Sequence, residues 1–376
     1  MEIPFAQSPR SSVGLEWELM LADPDSGELV PAAPGILQVL DGGEKITAEL
    51  LTNTVEITSD PRQRVADAID DIRGRVDLVR HEAEKHGARL LSSGSHPFAK
   101  WQDQNITEKS RYRTLIDRAQ WWGRNLMIWG VHMHVGVEDG DKVIPIIGEL
   151  TKFLPHLQAL SASSPFWAGE QTGYASNRAL VFQQLPTAGL PWQLPDWKAF
   201  EGYVDDLVGT DVIGEVTEVR WDIRPAPRWG TVELRACDAT SNLFEFAAIA
   251  AFAQCLVEWC SRQLDDGAEF EQLQPWFHRE NKWRAARYGM DARVITGRDG
   301  SEQAVRDHLR ELLPVLEPIA DDLGCRAELA GIHTILDLGA GYQRQLQLAL
   351  GTEGDLGAVV RHLIAEFDAE RPLVPR

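Results

Sequence analysis

The sequence predicts an α+β protein built on a mainly antiparallel sheet. Three observations carry that expectation. Strand-like segments are scattered among helix-like ones without regular strand–helix alternation. Each clear strand divides its residues between one apolar face and one charged face, as in a sheet covered on one side. No stretch has the composition of a linker, so residues 1–376 are read as a single domain.

The elements follow in chain order. "VGLEWELMLA" puts Val13, Leu15, Trp17, Leu19 and Leu21 on one face and Glu16 and Glu18 on the other. Trp17, between the two acids, is read as a core residue. "DPDSGE" is turn chemistry, with Pro24, Asp25 and Gly27, and "TVEIT" is a second strand. A helix is expected from near Pro61, capped by Ser59 or Asp60. Val65, Ile69, Ile72, Val76 and Val79 form its apolar stripe, and Gly87 its C-terminal stop.

"ARLLSSGSHPF" reads as a strand running into a loop. In "GVHMHVGV", Val131, Met133, Val135 and Val137 alternate with His132 and His134. Helices are expected over 142–160, 242–264, 302–323 and 355–368, with a loop rich in Pro and Trp over 185–198. "EVRWDIRP" and "GTVELRACD" complete the strands. In the first, Trp221 and Ile223 oppose Asp222 and Arg224; in the second, Val232, Leu234 and Ala236 oppose Glu233 and Arg235.

Charge narrows the function classes. The 57 acids against 37 Lys and Arg give a net charge of −20, which repels phosphate backbones and anionic lipid. Neither nucleic acid nor a membrane surface is an expected partner. Cys237, Cys255, Cys260 and Cys325 show no metal-site spacing and suit a reducing compartment. The N-terminal "MEIPFAQSPRSS" lacks a signal-peptide pattern, and "FEFAAIAAFAQCLVEW" is too short and too acidic to span a bilayer. A cytoplasmic protein is expected. P-loop, dinucleotide-fingerprint, zinc-protease and serine-hydrolase motifs are absent from the sequence.

The charged strand faces carry Glu, His and Arg rather than the Thr, Ser, Lys and Gln of a solvated face. Mg²⁺ and Mn²⁺ take carboxylate oxygens, with an occasional imidazole for Mn²⁺. Carboxylates crowded on one face repel one another unless cations sit between them. Such cations would present positive charge to a nucleoside triphosphate, with Arg235 and Arg224 balancing a transferring phosphoryl group or a substrate carboxylate.

In order and spacing, "VGLEWEL", "DPDSGELVP", "ELLTNTVEI", "SGSHPF", "GVHMHVGV", "TGYASNRALVFQQLPTAG", "WDIRPAPRWGTVELRACDA" and "NKWRAARYG" resemble the glutamate–cysteine ligase 2 family of carboxylate–amine ligases over roughly residues 12–350. The resemblance implies a glutamine synthetase-like fold, with a curved antiparallel sheet forming an active-site funnel and helices on its outer face. It implies that Glu16, Glu18, Glu49, Glu56, His132 and Glu233 bind metal, Mg²⁺ or Mn²⁺. It further implies that Arg235, with Glu233, serves catalysis near the phosphates or the acyl intermediate, and that Arg178 holds the glutamate substrate. The odd spacing of Glu49 and Glu56 requires a turn between them. His134 and His96, beside matched motifs, are read as structural, and Trp283, Arg284 and Arg287 as packing and surface pairing.

The activity so implied is ATP-dependent joining of L-glutamate to an amine, L-cysteine, through γ-glutamyl phosphate. A homodimer is the family expectation. Two other classes fit the same charged faces: a guanidino-kinase-type phosphotransferase and a non-catalytic metal or amino-acid binding protein.

Overall fold

The computed structural model describes residues 2–40 and 45–375. Seven strands form the main sheet: β1 (Val13–Ala22), β2 (Ile46–Ala48), β3 (Thr54–Thr58), β4 (Arg89–Leu91), β5 (Gly130–Gly136), β8 (Ile223–Ala226) and β9 (Thr231–Asp238). Between β5 and β8 run β6 (Phe166–Trp167) and β7 (Glu170–Gln171), a small hairpin; β10 (Arg293–Ile295) and β11 (Glu302–Ala304) form another. The main order is β2-β3-β1-β5-β9-β8, with β4 also on β1. All of these pairings are antiparallel, so the α+β expectation holds.

The apolar face of β1 is buried as its alternation predicts. Trp17 packs in tilted geometry at 5.7 Å from Phe246 of the helix Leu243–Asp265 and at 5.1 Å from Phe367 of the helix Leu356–Ala369. Its indole N–H donates to Ser92 Oγ at 2.9 Å, so the buried ring keeps a polar partner. Val65, Ile69, Ile72, Val76 and Val79 of the helix Val65–Lys85 join the same core, which runs from Val13 to Phe367. Each such side chain contributes about 1.5–3 kcal/mol on burial. Leu243–Asp265 is the one described helix long and apolar enough to cross a membrane, and most of it lies inside this core.

Several boundaries differ from expectation for physical reasons. The helix expected from Pro61 begins at Val65, after an extended Arg64 with no side-chain cap. Val13 and Arg62 exchange backbone hydrogen bonds of 2.6 and 2.8 Å, so pairing with β1 keeps residues 59–62 extended. Ser59 accepts from Leu15 N and Asp60 pairs with Arg75, each in place of capping. The C-terminal stop is as expected, with Gly87 at φ +70°.

The helix expected over 142–160 is two, Val143–Leu150 and Leu154–Ser161; Pro155, with no N–H to donate, opens the second. Residues 302–304 form β11, so the following helix is Val305–Leu323. The loop ends at Asp196, which caps the helix Trp197–Gly209 through a 2.8 Å bond from Ala199 N. Asp222 does not share the charged face with Arg224: it lies outside β8 and forms a buried 2.6 Å pair with Lys282.

Candidate active site

Register builds the site. Glu18 on β1 stands opposite Glu56 on β3, and Glu56 opposite Thr47 on β2. Glu16 stands opposite His132 on β5; His134 stands opposite Glu233 on β9, and Glu233 opposite Arg224 on β8. The uncovered sheet face is therefore one continuous field of ionisable groups. Glu49 follows β2 and reaches the field because a turn at residues 50–53 separates it from Glu56, as the spacing required.

Between Val131 and Met133 the β5–β9 register shifts, so residues 235 and 236 together oppose His132. A bulge of this kind re-aims side chains. Arg235 here donates to the Glu233 carboxylate of its own strand.

Charge is graded along the face. At one end Glu18, Glu49 and Glu56 offer carboxylate oxygens within 4.8 Å of one another. Burial, then the Glu49 charge, pushes the Glu18 carboxyl up to about 7. Burial and the charges of Glu49, Glu16 and Glu18 push Glu56 well above the carboxylate range. Glu49 is raised by burial, although Arg111 stands 3.7 Å away and Tyr112 Oη donates at 3.3 Å. Such a cluster lacks a cation's worth of positive charge, and its hard oxygen donors suit a divalent ion.

In the middle, Glu16 bonds His132 Nδ1 at 2.9 Å and His134 Nε2 at 3.3 Å. Burial pushes Glu16 up, but these two imidazoles outweigh it and hold the carboxyl well below its usual range. Burial, helped by Arg235, pushes His132 down to about 4, so its ring is neutral and keeps a lone pair for a metal. Glu16 enters two further donor groups among the described residues, one with Glu56 and His132 and one with His134 and Glu233.

At the other end, Glu233 accepts two bonds from Arg224, at 2.7 and 3.2 Å, and another from Arg235. Burial opposes ionisation there, but the two guanidiniums hold Glu233 far below the usual range. Its charge is thus already matched, unlike that of the Glu18–Glu49–Glu56 end. Arg178, on the helix Asn177–Phe182, donates to the Arg235 carbonyl at 3.1 Å. Both guanidiniums lie over the Phe182 ring, at 5.5 and 5.9 Å, and both retain a buried Nε without a partner. That is donor capacity held ready for an anion.

All eight residues singled out from sequence lie on or beside this face. His134, read there as structural, points into it. Its signal was available: two residues from His132 on a strand is the same side. Lys109, Arg111 and Tyr112, which rim the acidic end from the start of the helix Ser110–Arg124, carry no such periodicity. His96 is structural: it bonds the Gly27 carbonyl at 3.0 Å and accepts from Ala99 N. Arg284 pairs with Glu280 and Glu302, and Arg287 lies over the rings of Tyr174 and Tyr288.

Comparison with known proteins agrees with the sequence resemblance. A "Putative glutamate--cysteine ligase 2" of Leifsonia xyli subsp. xyli is 55% identical, over 97% of this chain and 98% of that protein. One of the same description from Clavibacter sepedonicus is 53% identical over 98% and 97%. Among solved structures, the glutamate–cysteine ligase of Francisella tularensis in complex with AMP superposes with a TM-score of 0.69, covering 96% of this chain and 90% of its own, at 16% identity. That likeness is one of fold. The model of glutamate–cysteine ligase family 2 matches residues 12–362, and the chain belongs to that family.

Proposed function

We propose that this chain is an ATP-dependent ligase that joins the γ-carboxylate of L-glutamate to the amine of L-cysteine through γ-glutamyl phosphate. The observation that carries the reading is the graded sheet face, with unmatched carboxylates at one end and two guanidiniums with open donors at the other. Family membership and the relatives' printed names support the substrates, and the AMP-bound neighbour supports an adenine nucleotide.

Glu18, Glu49 and Glu56 would hold one Mg²⁺ or Mn²⁺, and Glu16 with His132, or with His134 and Glu233, another. Bound there, the ions neutralise the triphosphate's charge. Arg178 holds a carboxylate of glutamate. The γ-carboxylate oxygen attacks the γ-phosphorus and ADP leaves; Arg235 stabilises the charge on the transferring group, as Glu233 and Arg224 fix its position. The amine nitrogen then attacks the acyl carbon, the bond to phosphate breaks, and phosphate departs as the new amide nitrogen loses its proton. Position and electrostatics supply the rate enhancement.

We read the enzyme as one catalytic domain, because its largest apolar core takes in residues from Val13 to Phe367. A cytoplasmic location is supported by four free, buried cysteines. The metal is the part of the reading to titrate directly, and a homodimer the assembly to look for by light scattering.

The test is capture of the intermediate. Incubation with ATP, Mg²⁺, L-glutamate and hydroxylamine should give γ-glutamyl hydroxamate and ADP in equal amounts. ADP without hydroxamate would indicate a phosphotransferase, and neither product a binding protein.

A further inference from the structure

The helix that carries Arg178 has only six residues, Asn177–Phe182, too short to be stable on its own backbone hydrogen bonds. Something outside the helix holds it. We infer that Asp238, a fully buried acid at the end of β9, is the positioning residue that sets Arg178 for the substrate carboxylate. This rests on the reading that Arg178 binds that carboxylate.

The geometry is a clamp on both strands of chain around Arg178. Asp238 Oδ1 accepts from Ser176 Oγ at 2.7 Å, and Ser176 Oγ in turn accepts from Ala179 N at 3.2 Å as the helix N-cap. Asp238 Oδ2 accepts from Ser164 Oγ at 2.7 Å and from Ser163 N at 3.0 Å. Ser164 Oγ accepts from the Arg178 backbone N–H itself, at 3.1 Å. One carboxylate therefore orients both hydroxyls that bind the helix's first turn. The amide and hydroxyl donors satisfy a charge that is 0% exposed and would otherwise be costly to bury.

Two glycines make the arrangement fit. Gly94 backs onto Asp238: a Cβ there would lie 2.5 Å from its Cγ. Gly130 pairs with Asp238 across β5 and β9, and a Cβ on it would lie 2.7 Å from Cζ of Arg178. Asp238 touches no open face itself, so it acts through Arg178 rather than on substrate.

The amide of Asp238→Asn has one acceptor oxygen where the carboxylate has two, so Ser176 or Ser164 loses its orientation. In steady-state assays of the full chain with ATP, Mg²⁺, L-glutamate and L-cysteine, Asp238→Asn should raise the KM for glutamate about tenfold. The KM for ATP and kcat should stay within about threefold. In an Arg178→Ala background the same change should add less than about twofold, because the two residues act on one contact. A glutamate KM raised less than about threefold, an equal loss in ATP KM and kcat, or multiplying effects in the double variant would overturn the inference. Should Asp238→Asn not fold, Ser176→Ala removes one of the three contacts and is read by the same criteria. Arg178→Ala alone separates the two levels: an unchanged glutamate KM in that variant refutes the role of Arg178, and the role of Asp238 with it.

Discussion

Glu18 of β1 and Glu56 of β3 face each other in register across an antiparallel pair, with Glu49 close enough for all three to share a cation. Like charges directly opposite each other destabilise a sheet. The chain retains this pair at the acidic end of its charged face, where stability is spent on a site.

The first prediction follows from that repulsion. Glu18 releases its proton near 7 when folded, against 4.5 for an ordinary glutamate. Between those values the folded state holds the extra proton, so this group's contribution to stability falls as pH rises. Buried His96, His132, His156 and His278, all pushed down to between about 3 and 4, work in the opposite direction. The effect must therefore be read as a difference. In EDTA, Glu18→Gln should melt at the same temperature as wild type near pH 4.5 and at a higher one at pH 8. Saturating Mg²⁺ should stabilise wild type more than Glu18→Gln. A gap in Tm that does not widen with pH would refute the assignment.

A second prediction concerns the middle of the face. Glu16 accepts from both His132 and His134, and its oxygens complete two of the donor groups. Glu16→Gln keeps the shape and one acceptor but removes the charge. Activity should fall at least about a hundredfold and the Mg²⁺ needed for half-activity should rise, with circular dichroism unchanged. An unaltered Mg²⁺ dependence and kcat would remove Glu16 from the metal site.

The two arginines over Phe182 should separate kinetically. A planar fork that binds a carboxylate through two donors is not replaced by an ammonium. Arg178→Lys should raise the KM for glutamate about tenfold or more, with a smaller effect on that for ATP. Arg235→Lys should chiefly lower kcat, because its contact strengthens as charge develops on the transferring group. Exchanged patterns would exchange the two roles.

How much of this was legible in the sequence depends on the range of the signal. A period of two is local, so the apolar and charged faces of "VGLEWEL", "VHMHV" and "TVELR" could be assigned without neighbours, and the sheet bears them out. Register was not local: that Glu18 meets Glu56, and His134 meets Glu233, comes only from strand pairing. The helix expected at Pro61 started late because a tertiary pairing between Val13 and Arg62 overrode good capping residues. Asp222 kept the expected alternation in sequence but turned to Lys282, a partner sixty residues away. Arg178 and Lys109 sit at the edges of short or irregular segments, where no periodicity points. For Arg178 only the family resemblance supplied a role.

The last prediction uses a residue with no side chain. Gly130 lies on β5 where its N–H donates to Glu18 Oε2 at 2.5 Å, and a Cβ there would fall 2.7 Å from Cζ and 2.9 Å from Nε of Arg178. Real Cβ contacts do not come so close, so in Gly130→Ala one of the two must move. The backbone is fixed by the pairing of Gly130 with Asp238, whereas the guanidinium is the far end of a flexible chain. Arg178 therefore yields, and the fold does not: Tm should change by no more than a few degrees, since alanine is otherwise tolerated in a strand. The displaced guanidinium, about 1 Å from its place, should raise the KM for glutamate by about tenfold or more. Adding Arg178→Ala should abolish most of the penalty of the alanine, because the group it displaces is gone. An alanine variant with a normal glutamate KM and normal stability would mean that Arg178 does not work from the position it occupies here.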